Sequence, residues 1–122
     1  MSTKAEKEWE IYNQLEEIRH QQEECDDLQK ELAYLEEESH WQNKQIKEVN
    51  DDLFDQYPKD VRLQNILLEK EEMLRQKMKV EKLFFEECRD ALRKQRRETE
   101  NRKEEYEKRL MEIRTKEGEQ NE

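Results

Sequence analysis

Apolar residues recur every seven positions along the first half of the chain. One line of such positions runs through Ile11, Ile18, Cys25, Leu32, Ser39, Ile46 and Leu53. A second line, three residues after members of the first, runs through Leu28, Leu35, Gln42 and Val49. Steps of three and four residues keep side chains on one face of a helix, which is the pattern of a coiled-coil seam. The pattern predicts one helix over about residues 5–54.

The second half of the chain predicts another long helix. Large apolar residues keep a helical spacing from Leu63 to Leu92, are missing between Arg93 and Glu105, and return at Tyr106. We therefore expect a helix over about residues 60–114, with a weak middle section and a frayed tail at 116–122.

Helix-breaking residues cluster between these two segments. Pro58 lacks an amide hydrogen and pushes Tyr57 out of the α region, so the first helix should end near residue 57. Asp60 is suited to cap the second helix, while Pro58 is equally suited to its first turn. The sequence predicts a turn over residues 55–60.

A connection this short predicts an all-α fold, a long antiparallel two-helix hairpin that resembles a coiled coil and forms a single domain over residues 1–122. Folding the chain about residue 57 pairs positions whose numbers sum to about 115. That register places Val49 opposite Ile66, and Cys25 opposite Cys88. Residues 1–57 carry 6 basic and 17 acidic residues, whereas residues 58–122 carry 18 and 17. Two copies of the first helix would therefore repel each other strongly, whereas the first helix beside the second would not.

Composition makes the hairpin marginal as an isolated structure. Of its 122 residues, 48% are charged and 31% hydrophobic, and a single glycine excludes turn-rich β folds and phosphate-binding glycine loops. Each helix has only one stripe to bury, which competes with the entropy of ordering the whole chain. We expect a partner helix, or a homodimer in isolation, to complete the fold.

Several large side chains near the turn are left over once the seam is assigned. They are Trp41, Phe54, Tyr57, Met73, Leu83 and Phe85. Aromatic residues and methionine on a helix surface are typical of interfaces, so these six are the candidate partner-binding residues. A wider hairpin core is an equally weighted alternative. Ser39 and Gln42 make the seam polar, either as tolerated weak layers or as positions that fix the partner and register.

Residues with catalytic or metal-binding chemistry do not form a site in the sequence. His20 and His40 each end an E-x-x-H motif, but on one helix and too far apart to share a metal, so both are expected to be solvated. Cys25 and Cys88 lack a zinc-binding spacing, and reduced thiols are favoured over a disulfide. No catalytic constellation is present, and the chain is expected to be non-enzymatic, without cofactor or metal.

Charge also restricts the partners. The net charge is −10, which disfavours nucleic acid and anionic membranes, although Arg93–Arg97 form a basic cluster among interleaved acidic residues. No membrane span is expected, and the first eight residues lack the apolar core of a secretory signal. These features predict a cytoplasmic protein.

The turn region carries a resemblance to a known family. Its sequence is Val49-Asn-Asp-Asp-Leu-Phe-Asp-Gln-Tyr-Pro58, and a long helix rich in Glu, Lys, Arg and Gln follows. With its acidic hairpin and its size, the chain resembles the small helical partner proteins of LXG-domain toxins in Gram-positive type VII secretion. The resemblance implies a targeting chaperone that binds the helical N-terminal LXG domain, beside a second small helical protein, and promotes its stability and export.

Two features of related secreted proteins are missing. Trp41 is followed by Gln42-Asn43, so the W-x-G turn is absent, and Tyr106 is followed four residues later by Leu110, not by an acidic residue. The chain therefore resembles a companion more than the bearer of an export signal. Co-export with the cargo, without a signal peptide, stays open. The alternative function is a structural coiled-coil scaffold or self-associating spacer.

Overall fold

The computed structural model of the protein describes residues 3–120, with side chains up to residue 116. Two helices, α1 (Lys4–Gln56) and α2 (Val61–Gln120), account for all regular structure in that range, which contains no strand. The helices pack against each other and are joined by a four-residue turn. This confirms the predicted all-α helical hairpin.

Helix α1 begins with a reciprocal cap. The backbone N–H of Glu6 donates to the Thr3 hydroxyl at 3.2 Å, and the backbone N–H of Thr3 donates to the Glu6 carboxylate at 3.3 Å. Two of the amides that lack a partner inside the helix are thereby satisfied. The helix starts at Lys4, one residue before the predicted start.

The turn is built by Asp60 and Gln64. The Asp60 carboxylate accepts the backbone N–H of Leu63 at 3.0 Å, so Asp60 caps α2 and Pro58 lies outside the helix. The Gln64 amide donates to the carbonyls of Phe54 at 3.0 Å and Tyr57 at 2.8 Å, which satisfies carbonyl groups at the end of α1. Helix α1 therefore continues to Gln56, and the turn is shorter than predicted.

The C-terminal end of α2 also differs from the prediction. Helix α2 extends to Gln120, so residues 116–120 of the predicted frayed tail are helical. Residues 121 and 122 of that prediction lie outside the described residues.

Packing divides the chain into two compact units. We call Lys30–Asp90 the turn unit, and the segments up to Gln29 and from Ala91 onward the terminal unit. The expectation of a single domain stays a prediction.

The terminal unit is held by a thin apolar core and by polar contacts between the helices. Ile11, Ile18, Cys25 and Leu110 are buried, and the buried Thr99 hydroxyl donates to the Gln95 carbonyl at 2.7 Å. Across the helices, Arg96 donates to Asp26 at 2.6 Å, and Gln22 donates to Glu100 at 3.1 Å. Polar side chains thus occupy the stretch where apolar residues are scarce in both helices.

The turn unit buries a similar core. Leu32, Leu67, Leu74 and Phe85 are its buried apolar residues, and Asn43 is buried with them at 5% exposure. Leucines and a phenylalanine here supply most of the apolar burial that stabilises the unit.

The structure corrects the predicted seam. The line from Ile11 to Leu32 is buried, but the second line is exposed at Leu28, Leu35 and Val49. The second seam line lies one residue later, at Glu36, Asn43 and Asn50, which are less exposed than the residues before them. Because Glu36 and Asn43 of this line hydrogen-bond to side chains of α2, the helix is rotated away from its second apolar line.

The register between the helices differs as well. Hydrogen-bonded pairs between α1 and α2 have residue numbers that sum to between 117, for Cys25 with Leu92, and 126, for Tyr12 with Arg114. The expected sum was about 115. The turn lies at residues 57–60, later than the assumed fold point at residue 57, which raises the sum. The predicted pairing of Val49 with Ile66 is therefore wrong.

Substitution of Asp60 by alanine tests the cap of α2. We expect Asp60→Ala to lower the free energy of unfolding by about 1 kcal/mol, because the Leu63 amide loses its acceptor. Chemical denaturation followed by circular dichroism measures the change. Asp55→Ala, in the last turn of α1, is the control and should change stability by less than about 0.5 kcal/mol. Equal effects of the two substitutions would contradict the capping role.

Candidate docking surface

A cluster of four polar side chains lies in the seam of the turn unit. The Glu81 carboxylate accepts hydrogen bonds from the Ser39 hydroxyl, from the Asn43 amide at 3.0 Å and from Lys77 at 2.9 Å. Lys77 also donates to the Asn43 side-chain oxygen at 2.6 Å. We call these four residues the central polar cluster. Because its members come from both helices and satisfy one another, the cluster favours one register over alternatives, as buried polar groups do in coiled coils.

The electrostatics of the cluster favour an ionised Glu81. Burial opposes ionisation of its carboxyl group, but the hydrogen bonds from Ser39, Lys77 and Asn43 outweigh burial and hold its pKa below the ordinary value. The carboxylate is therefore a structural anion at neutral pH.

One side of the turn unit carries charged side chains around an apolar floor that includes Met78 and Phe85. A groove of about 280 Å³ there is lined by His40 of α1 and by Arg75, Lys79 and Lys82 of α2, above Phe85. A second groove of about 170 Å³ is lined by Lys47, Asp51 and Phe54 of α1 and by Glu71 of α2. We call this the charged side.

The residues that line the groove on the charged side show which positions of α1 and α2 lie on the same side of the hairpin. His40 follows the seam residue Ser39, and Arg75 and Lys82 follow the seam residues Leu74 and Glu81, yet all three line one groove. Successive residues are rotated by about 100° around a helix, so the residue before a seam position lies on the opposite side from the residue after it. Residues that precede seam positions in α1 and in α2 therefore share the other side.

That other side is apolar and exposed. It carries Leu35 and Val49, which precede Glu36 and Asn50, and the shallow seam residue Ile46. From α2 it carries Ile66, Met73, Val80 and Phe84. These seven side chains are between 42% and 65% exposed. We call these seven residues the apolar side. Their shared exposure on one side of two packed helices is typical of a surface for protein association.

The six predicted partner-binding residues do not form one surface. Phe85 is 7% exposed and belongs to the core, so it is not available to a partner in this structure. Met73 lies on the apolar side, whereas Phe54 lines a groove of the charged side. Trp41, Leu83 and Tyr57 are exposed, outside both of these groups.

Most residues of the apolar side were assigned to the core by sequence reasoning. Leu35, Val49, Ile66 and Val80 have the spacing of seam residues, and the pattern alone does not separate them from the buried lines. A signal was present in the polar line, where Glu36 matches Arg89 of α2. Asn43 likewise matches Lys77 of α2. A comparison of registers that counted pairs of polar residues as well as pairs of apolar residues would have identified the apolar side.

Both histidines lie among neighbouring glutamates on α1. His20 lies 3.5 Å from Glu16 and 3.8 Å from Glu23, and His40 lies 3.9 Å from Glu36. None of these three contacts is with Glu17 or Glu37, the glutamates of the two E-x-x-H motifs. Among the described residues, no group of three or more His, Cys, Asp and Glu side chains is arranged to hold a metal ion.

Both cysteines are free thiols. Cys25 is buried, and its sulfur lies 3.7 Å from the carbonyl oxygen of Leu92. Cys25 therefore acts as a small core residue of the terminal unit.

The basic cluster on α2 is engaged within the terminal unit. Arg96 donates to Asp26 and to Gln29, each at 2.6 Å, and Arg102 donates to Gln21 at 3.1 Å. These contacts direct part of the cluster toward the acidic α1.

Comparison with protein-family models, curated protein sequences and solved structures finds no match to this chain. Within residues 3–120, neither helix contains a stretch long and apolar enough to cross a bilayer. The apolar side is therefore interpreted from its own residues.

The central polar cluster predicts an acid-sensitive contribution to stability. Because the folded-state pKa of Glu81 is below its ordinary value of 4.5, its contribution is present above that pH and is lost as pH falls through the folded-state pKa. Glu81→Gln should lower stability by roughly 1–2 kcal/mol at pH 7 and reduce the further loss on acidification. Thermal melts at pH 7 and at low pH measure both effects.

Glu48→Gln is the matched control, since Glu48 is an exposed residue of the same unit. It should leave the melting temperature at pH 7 nearly unchanged. An acid profile of Glu81→Gln identical to that of the unaltered protein would contradict the role of this carboxylate.

Substitutions of the neighbouring residues Phe84 and Phe85 test which side chains belong to the core and which to the apolar side. Their rings contact edge to face with centroids 5.5 Å apart, yet only Phe85 is buried. Phe85→Ala should lower the free energy of unfolding by about 3 kcal/mol, and Phe84→Ala by less than about 1 kcal/mol. Urea denaturation compares the two variants, and equal losses would contradict the assignment.

Proposed function

We propose that this chain is a non-enzymatic helix-binding protein that acts as the targeting chaperone of an LXG-domain toxin. Its apolar side receives helices of the toxin's N-terminal domain in the cytoplasm, which stabilises the toxin and promotes its export. A second small helical protein joins the same complex. The single observation that carries the proposal is the exposure of seven large apolar side chains on one side of the turn unit.

The form of the surface favours a helical partner. Residues that precede successive seam positions run along both helices, so the apolar side offers two parallel rows of apolar side chains. An amphipathic helix presents anchors at spacings of three, four and seven residues, and it fits between such rows. Partner helices packed against the hairpin would form a helix bundle, and the apolar side that the hairpin leaves exposed would then be buried.

The charged residues around the apolar side determine which partner helices are favoured. On α1 they are acidic, with Glu38 and Asp52 preceding the seam residues Ser39 and Leu53. A partner helix with basic residues beside its apolar stripe would be favoured there, and an acidic one disfavoured. The toxin helix that docks on α1 should therefore be amphipathic with basic flanks.

The structural coiled-coil scaffold is the second candidate function. The same apolar side supports it, because an exposed apolar surface also associates with copies of itself. A scaffold would form an assembly that an LXG domain neither joins nor alters, whereas a chaperone would form a defined complex with the toxin domain.

Co-expression with the N-terminal domain of an LXG-domain toxin tests the proposal. We expect a stable complex to co-purify, and Val80→Glu or Met73→Glu to abolish it, because each places an unpaired charge in an apolar contact. Size-exclusion chromatography with light scattering measures the composition of the complex.

Leu68→Glu is the matched control for this experiment. Leu68 is 51% exposed on the same helix, but it follows the seam residue Leu67 and so lies on the charged side. This variant should retain the complex, and all variants should retain the helical circular dichroism signal. Failure of the unaltered chain to bind the LXG domain would refute the proposed partner, and equal loss with Leu68→Glu would refute the surface.

A further inference from the structure

We propose that, without a helical partner, the apolar side is covered by the apolar side of a second copy of this chain. In that homodimer, α1 of each copy lies over α2 of the other, and both turns are at the same end of the assembly. The inference stands on the geometry of the turn unit and does not depend on the identity of the toxin.

The size of the surface is sufficient for a dimer. Seven large side chains, each exposed by about half, present on the order of 600 Å² of surface. A typical stable interface buries about 800 Å² on each partner, and surrounding polar residues supply the remainder. An apolar patch at the upper end of the range found on soluble monomers is often an interaction site.

Charge selects the arrangement of the two copies. The α1 part of the turn unit, residues 30–56, carries 3 basic and 8 acidic residues, while the α2 part, residues 61–90, carries 7 of each. Placing α1 over α1 of the other copy would bring two acidic helices together. Placing α1 over α2 avoids that repulsion and keeps neighbouring helices antiparallel.

The register of the hairpin fixes which residues meet. Within the turn unit, hydrogen-bonded pairs between the helices have numbers that sum to between 120 and 125, as in Ser39 with Glu81 and Glu36 with Arg89. A two-fold axis parallel to the helices keeps each residue at its own height. Val49 then lies over Met73 of the second copy, and Asp52 over Lys70. An apolar contact and a pair of opposite charges are formed twice in each dimer.

Analytical ultracentrifugation of the full chain across a concentration series tests the homodimer. We expect a monomer–dimer equilibrium, because an interface of about this size commonly gives micromolar affinity or better. Val49→Lys and Met73→Glu should each weaken dimerisation by at least about tenfold, since both copies then place an unpaired charge in the contact. Phe54→Lys and Leu68→Glu, on the charged side, should leave the equilibrium unchanged.

Mixing the two disruptive variants tests the arrangement. In a mixed dimer, the lysine introduced at 49 of one copy faces the glutamate introduced at 73 of the other, and the second contact is unaltered. A mixture of Val49→Lys and Met73→Glu should therefore dimerise more strongly than either variant alone. Absence of such rescue would overturn the placement of α1 over α2.

Two further outcomes would overturn the homodimer itself. One is a chain that stays monomeric at every concentration, and the other is a dimer disrupted only by the charged-side variants. Circular dichroism of each variant confirms that the helices are retained. A monomer that still binds the LXG domain would overturn the homodimer and leave the proposed function standing, whereas a dimer that binds no LXG domain would do the reverse.

Discussion

The structure depends on a seam in which only one of two lines is apolar. Leu32 and its predecessors supply the apolar line of α1, and the second line is polar at Glu36, Asn43 and Asn50. A polar line is stable in a seam only when its groups find partners, because an unpaired buried group loses its bonds to water. Arg89, Lys77 and Glu81 provide those partners to Glu36 and Asn43.

The polar line also creates the apolar side. When α1 turns its polar line toward α2, its second apolar line, represented by Leu35 and Val49, faces away from the seam. Helix α2 exposes Ile66, Met73 and Val80 on the same side, because a seam residue and the residue before it are separated by about 100°. Apolar contacts in the seam are thereby exchanged for an exposed apolar surface, and hydrogen bonds set the register of the hairpin.

The exposed apolar surface is thus a consequence of how the two helices are held together. A seam that buried the second apolar line of α1 would be more stable than the present one. The same seam would leave less apolar surface exposed. Asymmetry between the two sides adds selectivity: the charged side has basic residues such as Arg75 and Lys82 around a small groove, while the apolar side has acidic residues along α1.

The sequence by itself determined the two helices, the position of the break and the all-α hairpin. Those follow from local properties: seven-residue periodicity, the scarcity of glycine, and Pro58 next to the capping Asp60. It also indicated an incomplete core. Only the tertiary structure decided which apolar line is buried and that Phe85 is core while Phe84 is surface. Pairing apolar residues alone favours one register between the helices, whereas hydrogen bonds between residues distant in sequence favour another. The register therefore depends on contacts that the seven-residue periodicity does not reveal.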